Sequence, residues 1–289
     1  MEIKRPIGRN NLDKTLHRLF PDDVDYLEIR SMMANVLVGQ FLPEGVVKGG
    51  SSLKLRYGNR NTRVTTDFDA AARHDRERFI DQLTERLAVG WEGFAFEVVR
   101  MKPAQPKGTP GAYVMHPFSI KVNYMGKPWC TVDLELGHNE VGDADEAEWY
   151  ESSEVNAAFA QLGFPAPGKV PVMPLKYQIA QKLHGASEPE SERAHDLVDL
   201  QLIFKRSKID LAEVRHVCER IFAYRKMQHW PPTVVANEKW GERYAAASKG
   251  LPVLPTVGEA VEWVNTLVSR IVSSGLRGPD PNGGVRMVE

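Results

Sequence analysis

The segment Val46–Asp69, VVKGGSSLKLRYGNRNTRVTTDFD, constrains the fold of this chain more than any other. It reads as a short apolar strand over Gly45–Lys48, a turn at Gly49-Gly50-Ser51, a helix over Ser52–Tyr57 opened at Ser51, and a strand over Val64–Asp69. So compact an alternation demands a mixed α/β arrangement. Glycines at 49 and 50 let backbone N–H groups approach anionic oxygens closely, Ser51 adds a hydroxyl, and the helix presents its positive end in the same place. Asp67 and Asp69, two apart on a strand, project from one face. Carboxylates held that way can bind one or two magnesium ions, which could align an attacking hydroxyl, neutralise an α-phosphate and stabilise leaving pyrophosphate.

The surrounding elements give this segment a setting. Asp23–Gln40 has helical spacing through Leu27, Met32, Val36 and Leu37, and Arg76–Ala88 is a second amphipathic helix with Phe79, Ile80, Leu83 and Leu87 as its apolar stripe. Phe94–Val99, Ser119–Tyr124 and Trp129–Leu136 read as strands, the last two flanking a hairpin at Met125-Gly126-Lys127-Pro128. In the last strand Val132, Leu134 and Leu136 alternate with Asp133 and Glu135, so either acid could stand as a third metal carboxylate. Lys102–Gly111 is a Pro- and Gly-rich loop, and the stretch through Pro165, Pro167, Pro171 and Pro174 separates this part from a mostly helical remainder. The fold class expected is therefore α/β (α+β): a small mixed sheet backed by helices on one face over 1–164, then a helical lobe over 165–289. A disordered tail is expected from about residue 274.

Alone, a Gly pair is usually a turn and a DxD is usually a solvated strand end. The order GG-S, DxD, then a later acidic strand is what gives the pattern weight. No GxxxxGK[ST] loop is present. Cys130 and Cys218 stand far apart without CxxC spacing and read as inert buried thiols. His184, His195, His216 and His229 lack a zinc partner pattern. The polar N-terminus has no secretory h-region, and Met32–Leu42 is too short to span a bilayer, so a cytoplasmic, membrane-free protein is expected.

The same motifs resemble the AbiEii/AbiGii toxins, within the nucleotidyltransferase superfamily that includes DNA polymerase beta. Thr65-Thr66-Asp67-Phe68-Asp69, Ala180-Gln181-Lys182-Leu183 and Arg193–Leu200 match that family's successive motifs. KGGSSL, DFD, GWEGF, IAQKLH and RAHDLVDLQL make the chain most similar to its MenT-type members, over about residues 46–204. The resemblance implies a magnesium-dependent, pyrophosphate-releasing nucleotidyltransferase that is the toxin of a toxin–antitoxin pair. It would move a nucleoside monophosphate from an NTP to an RNA acceptor, the tRNA 3′ end, and so block translation. A cognate antitoxin would be encoded nearby, and no DNA specificity is expected. Residue by residue, the resemblance makes Asp67, Asp69, Lys182 and Asp199 catalytic. It makes Gly49, Gly50, Ser51, Lys182, Asp196 and Asp199 nucleotide contacts, and Asp67, Asp69 with Asp133 or Glu135 metal ligands. Thr65 falls where a relative carries a hydroxyl phosphorylated by its antitoxin.

Asp67/Asp69 and Lys182/Asp199 come from opposite sides of the Pro-rich stretch, so the active site is expected in a cleft between lobes. Arg193, Asp196 and Asp199 are spaced three apart, to line one helix side as a catalytic feature or a surface ion-pair row. Two other readings stand beside the RNA-modifying one: transfer to a protein or small-molecule hydroxyl, and a catalytically dead nucleotide- or RNA-binding module. With 37 Lys and Arg against 38 Asp and Glu, the net charge of −1 excludes a diffuse polycation. It averages segregated runs. Gly45–Thr66 has no acid and five bases, Lys205–Lys226 has seven bases and three acids, and Thr131–Gly168 has nine acids and no Lys or Arg. Both basic stretches could hold a polyanion. Trp230 reads as a loop anchor.

Overall fold

The structure, a computed structural model, describes residues 4–103 and 114–274. All but the first residues of the loop expected at Lys102–Gly111, and of the tail expected from about 274, lie outside the described residues. The chain divides into two compact units, Met1–Pro174 and Leu175–Glu289. The division falls after Pro174 rather than after Phe164, because part of the Pro-rich stretch is itself a strand of the first unit.

In chain order the first unit contains α1 (Arg9–Leu19), α2 (Asp23–Gly39), β1 (Gly45–Val47), α3 (Gly49–Tyr57), a 3-10 turn at Asn59–Asn61, β2 (Phe68–Ala72), α4 (Arg76–Leu87), β3 (Phe94–Arg100), β4 (His116–Tyr124), β5 (Lys127–His138), β6 (Glu148–Tyr150), α5 (Ser153–Gln161) and β7 (Val170–Val172). The strands form one sheet in the order β3-β4-β5-β2-β1-β7-β6. β2 runs parallel to β5 and antiparallel to β1, and β1 runs parallel to β7. The β4–β5 hairpin turns on Met125-Gly126, whose positive φ values of 48° and 73° match the strand twist of a two-residue turn.

Alternation decides which face is covered. Val132, Leu134 and Leu136 of β5, Phe68, Ala70 and Ala72 of β2, and Val170 and Val172 of β7 join one buried core. That core also takes Leu12 and Leu16 of α1, Ile29, Met33 and Leu37 of α2, Phe79 and Leu83 of α4, and Phe159 of α5. These helices therefore back one face, as the sequence predicts, and Asp133 and Glu135 fall on the other, open face.

Three local expectations are corrected. β2 begins at Phe68, not Val64, and runs on to Ala72. Its antiparallel ladder to the three residues of β1 needs Ala70–Ala72, while Thr62 turns back to the Gly58 carbonyl and Val64 is exposed. α3 begins at Gly49, two residues before Ser51. And the sequence reading passed over α1, α5, β6 and β7: two of these are three-residue strands, and Pro171 lies inside one of them.

The second unit is helical: α6 (Leu175–Ser187), α7 (His195–Arg206), α8 (Leu211–Arg225), α9 (Trp240–Ser248) and α10 (Val257–Ser274). Ser273 and Ser274, where the tail was expected to start, close α10. Leu183, Leu197, Leu200, Ile203, Val214, Ile221, Trp240 and Leu267 are buried here. Among the described residues no helix is long and apolar enough to cross a membrane.

Candidate active site

The strand–turn–helix of β1 and α3 builds one side of the site. Gly49 has a φ of +65°, which favours glycine, and a Cβ there would collide with the Asp69 carboxylate. Gly50 is covered in turn by Thr65, whose Oγ1 would lie 3.0 Å from a Cβ on residue 50. Both glycines are thus required by close approach, and that approach sets Asp69 and Thr65 against the start of α3. Lys48, the residue before α3, gives its first turn no side-chain cap, and that turn contains no acid. The positive end of the helix is therefore left beside a half-exposed carboxylate.

Ser51 is committed differently from the expectation. Its buried hydroxyl donates to the Asp67 carbonyl at 2.6 Å, fixing the chain just ahead of β2. Asp67 lies outside the strand, so the two aspartates do not share a strand face by simple alternation. It is exposed, and the Thr66 hydroxyl donates to its carboxylate at 3.0 Å.

Of the two acids on β5, Glu135 is the register partner of Asp69, and Asp133 pairs with Ser119 of β4. Glu135 is the one that senses the aspartates. Burial, then the charges of Asp69 and Asp67, push its carboxyl above the usual range, and Lys48 opposes the rise. Among the described residues no group of three or more His, Cys, Asp or Glu is placed to hold a metal ion. The four acids expected as ligands therefore do not form one closed cluster.

In the second unit the motif residues meet each other. Lys182 of α6 is buried, with its Nζ donating to Asp196 at 2.9 Å and to Asp199 at 2.6 Å, both on α7. Arg193 precedes α7 rather than lying on it, and its Nε donates to the other oxygen of Asp196 at 2.6 Å. Asp196 and Asp199 are both fully buried, which excludes a surface ion-pair row. Burial alone would raise the Asp196 carboxyl. The charges of Arg193 and Lys182 outweigh it and hold the group well below the ordinary carboxylate range.

Lys48, expected only as one base of the Gly45–Thr66 stretch, stands beside Asp69 in the sheet. The signal for that neighbour was available: continuing the alternation of β1 past Val47 places Lys48 on the acidic face.

Comparison with known proteins gives the arrangement a context. A family model described as "Nucleotidyl transferase AbiEii toxin, Type IV TA system" matches residues 33–264. Among solved structures, MenT4, a nucleotidyltransferase toxin from Mycobacterium tuberculosis H37Rv, superposes with a TM-score of 0.53 at 18% identity, covering 92% of this chain and 99% of that one. JHP933 from Helicobacter pylori matches with a TM-score of 0.43 at 14% identity, covering 85% and 90%. No curated protein matches the chain.

Proposed function

This chain belongs to the AbiEii family of nucleotidyltransferase toxins of type IV toxin–antitoxin systems, and on that premise we propose that it modifies RNA. The family implies an NTP donor and a cognate antitoxin. In the proposed reaction a hydroxyl at the 3′ end of a tRNA attacks the α-phosphorus of the NTP. The bond to the β-phosphate breaks, pyrophosphate leaves with the electron pair, and the hydroxyl proton passes to solvent. A capped 3′ end cannot be aminoacylated, so translation stops, and the protein acts in the cytoplasm.

The observation that carries this reading is the Asp69 carboxylate, seated against Gly49 at the uncapped start of α3 and sharing a row with Glu135. α3 would hold the triphosphate at its N-terminal end, with electrostatics and alignment supplying most of the catalysis. Magnesium fits the donors present: they are carboxylate oxygens only, and this ion is usually held by one or two carboxylates plus substrate phosphates rather than by a closed protein cage. Asp69, with Asp67 or Glu135, would hold it together with substrate phosphates, and when bound it would neutralise charge on the transferred phosphate and the leaving pyrophosphate. Lys182 would meet a phosphate only with its third N–H, since Asp196 and Asp199 occupy the other two. A phosphoryl group on Thr65, which packs on Gly50, would bring negative charge to the triphosphate position and switch transfer off.

The test is transfer of label from each of the four α-labelled NTPs to total RNA. Asp67→Ala, Asp69→Ala and Lys182→Ala should each abolish it, and retained transfer in Asp69→Ala would sink the assignment. Label released by protease but not by RNase would instead favour a protein acceptor.

A further inference from the structure

Lys48, Asp69 and Glu135 form one row across three neighbouring strands. The antiparallel register Gly45↔Ala72, Val46↔Ala71, Val47↔Ala70 continues one step further, where the Lys48 N–H donates to the Asp69 carbonyl at 2.9 Å. Asp69 pairs in turn with Glu135. Val47 belongs to the core, so alternation turns Lys48 onto the open face with the two acids.

The lysine side chain does not stay in that row. Its Nζ lies 3.0 Å from where a Cβ on Gly137 would stand, with the Met115 sulfur equally close to the same point. Gly137 pairs with Ala71 one pleat beyond the acidic row, towards the C-terminal ends of β2 and β5. Residue 71 offers only a methyl group and residue 137 nothing, so the two leave a trough for the lysine stem. Lys48 is half-buried there, and among the described residues its ammonium makes no hydrogen bond or ion pair.

Position along the strands separates two positive features. α3 starts where β1 ends, which in an antiparallel pair is where β2 begins. Travelling along β2, the start of α3 comes first, the Asp69–Glu135 row second, and the Lys48 ammonium last. In an in-line transfer the leaving pyrophosphate and the attacking hydroxyl lie on opposite sides of the α-phosphorus. A cation across the carboxylates from the triphosphate cradle is therefore on the acceptor's side.

We propose that Lys48 is an acceptor-binding residue whose ammonium takes a phosphate oxygen of the RNA strand next to the nucleotide bearing the attacking hydroxyl. This rests on the NTP-to-RNA reading above. Lys48 makes and breaks no bond. It adds one phosphate contact to the acceptor and none to the donor.

Steady-state transfer to total tRNA, measured with the full-length protein, tests it. Lys48→Ala should raise KM for tRNA about tenfold and leave KM for the NTP within about twofold. The slope of log KM for tRNA against log salt should flatten by about 0.7, the contribution of one contact to a single strand, and Lys48→Arg should restore both values. Gly137→Ala keeps the charge but pushes the Nζ aside, and should give a smaller rise in KM for tRNA alone. A rise confined to KM for the NTP, or an unchanged salt slope, overturns the assignment of Lys48. A wild-type protein that transfers to no RNA overturns the underlying reading together with it.

Discussion

The two units handle charge in opposite ways. On the open sheet face Asp69 and Glu135 stand in one row, each half-exposed, with Lys48 close enough for its charge to act on Glu135. In the helical unit Lys182, Asp196 and Asp199 are fully buried and satisfied by one another and by Arg193. The first arrangement keeps its acids open to solvent and to a ligand. The second has already neutralised itself, because a buried charge without a partner costs several kcal/mol. Removing a group from the first should therefore cost activity and little stability, and removing one from the second should cost stability first.

The largest effect is expected at Asp69. Asp69→Asn preserves shape and removes the charge, so transfer should fall by roughly a thousandfold or more while the thermal midpoint stays put or rises. Relief of like charge with Glu135 is the reason for a rise. A variant that loses both transfer and folding would erase the contrast between the two regions. Lys182→Met is its counterpart. It leaves two buried carboxylates facing each other across the lost ammonium, and should cost about 3–5 kcal/mol by urea unfolding. If Lys182→Met is as stable as wild type, the network is not what holds α6 to α7. The combined change Lys182→Met, Asp199→Asn should recover part of the loss, since it removes one of the stranded charges.

A smaller effect is expected at the glycines. Gly49→Ala must accept a positive φ and displace the Asp69 carboxylate, so it should cost about 1–3 kcal/mol and depress transfer as well. Gly50→Ala meets Thr65 first, at 3.0 Å, and should be milder in both respects. Equal effects at the two positions would mean that contact with Asp69 is not what Gly49 is for.

The same contrast explains how much of the molecule was legible. Period-two alternation marked β5 and its acids, since an apolar core on one face forces polarity on the other. The Gly-Gly-Ser turn marked α3 because glycine has a conformational meaning that survives without context. The start of β2 was not legible. Val64–Thr66 has strand composition, but β1 offers only three residues to pair with, and that is a fact about a distant segment. β7 was hidden by Pro171, which ordinarily argues against a central strand. In the helical unit spacing brought Asp196 and Asp199 to one side of α7, with Arg193 just ahead of the helix, yet it could not say whether that side faces water. Burial depends on α6 and its lysine, which no spacing within residues 193–199 encodes.

The effect that is smallest at neutral pH is a titration, and it too separates the regions. His184 of α6 is buried against Phe222, with Arg225 near its Nδ1. Burial, then the charges of Arg225 and Arg193, lower its pKa to about 4. A histidine depressed on folding stabilises the native state fully above its unfolded value, about 6.5. That contribution is lost as pH falls from there towards about 4, because the unfolded chain takes the proton first. The slope should be about 1 kcal/mol per pH unit. Asp196 adds a second loss below the ordinary aspartate range, since it too is depressed on folding. His184→Phe removes the first without touching the second. Urea unfolding of the full-length protein between pH 7 and 4 should therefore be flatter in the variant than in wild type. The transition that flattens should be that of the helical unit, with the pH dependence of the sheet unit unchanged. Parallel curves would show that His184 is protonated as easily in the folded chain as in the unfolded one, and the acid sensitivity of the helical unit would then fall to Asp196 alone.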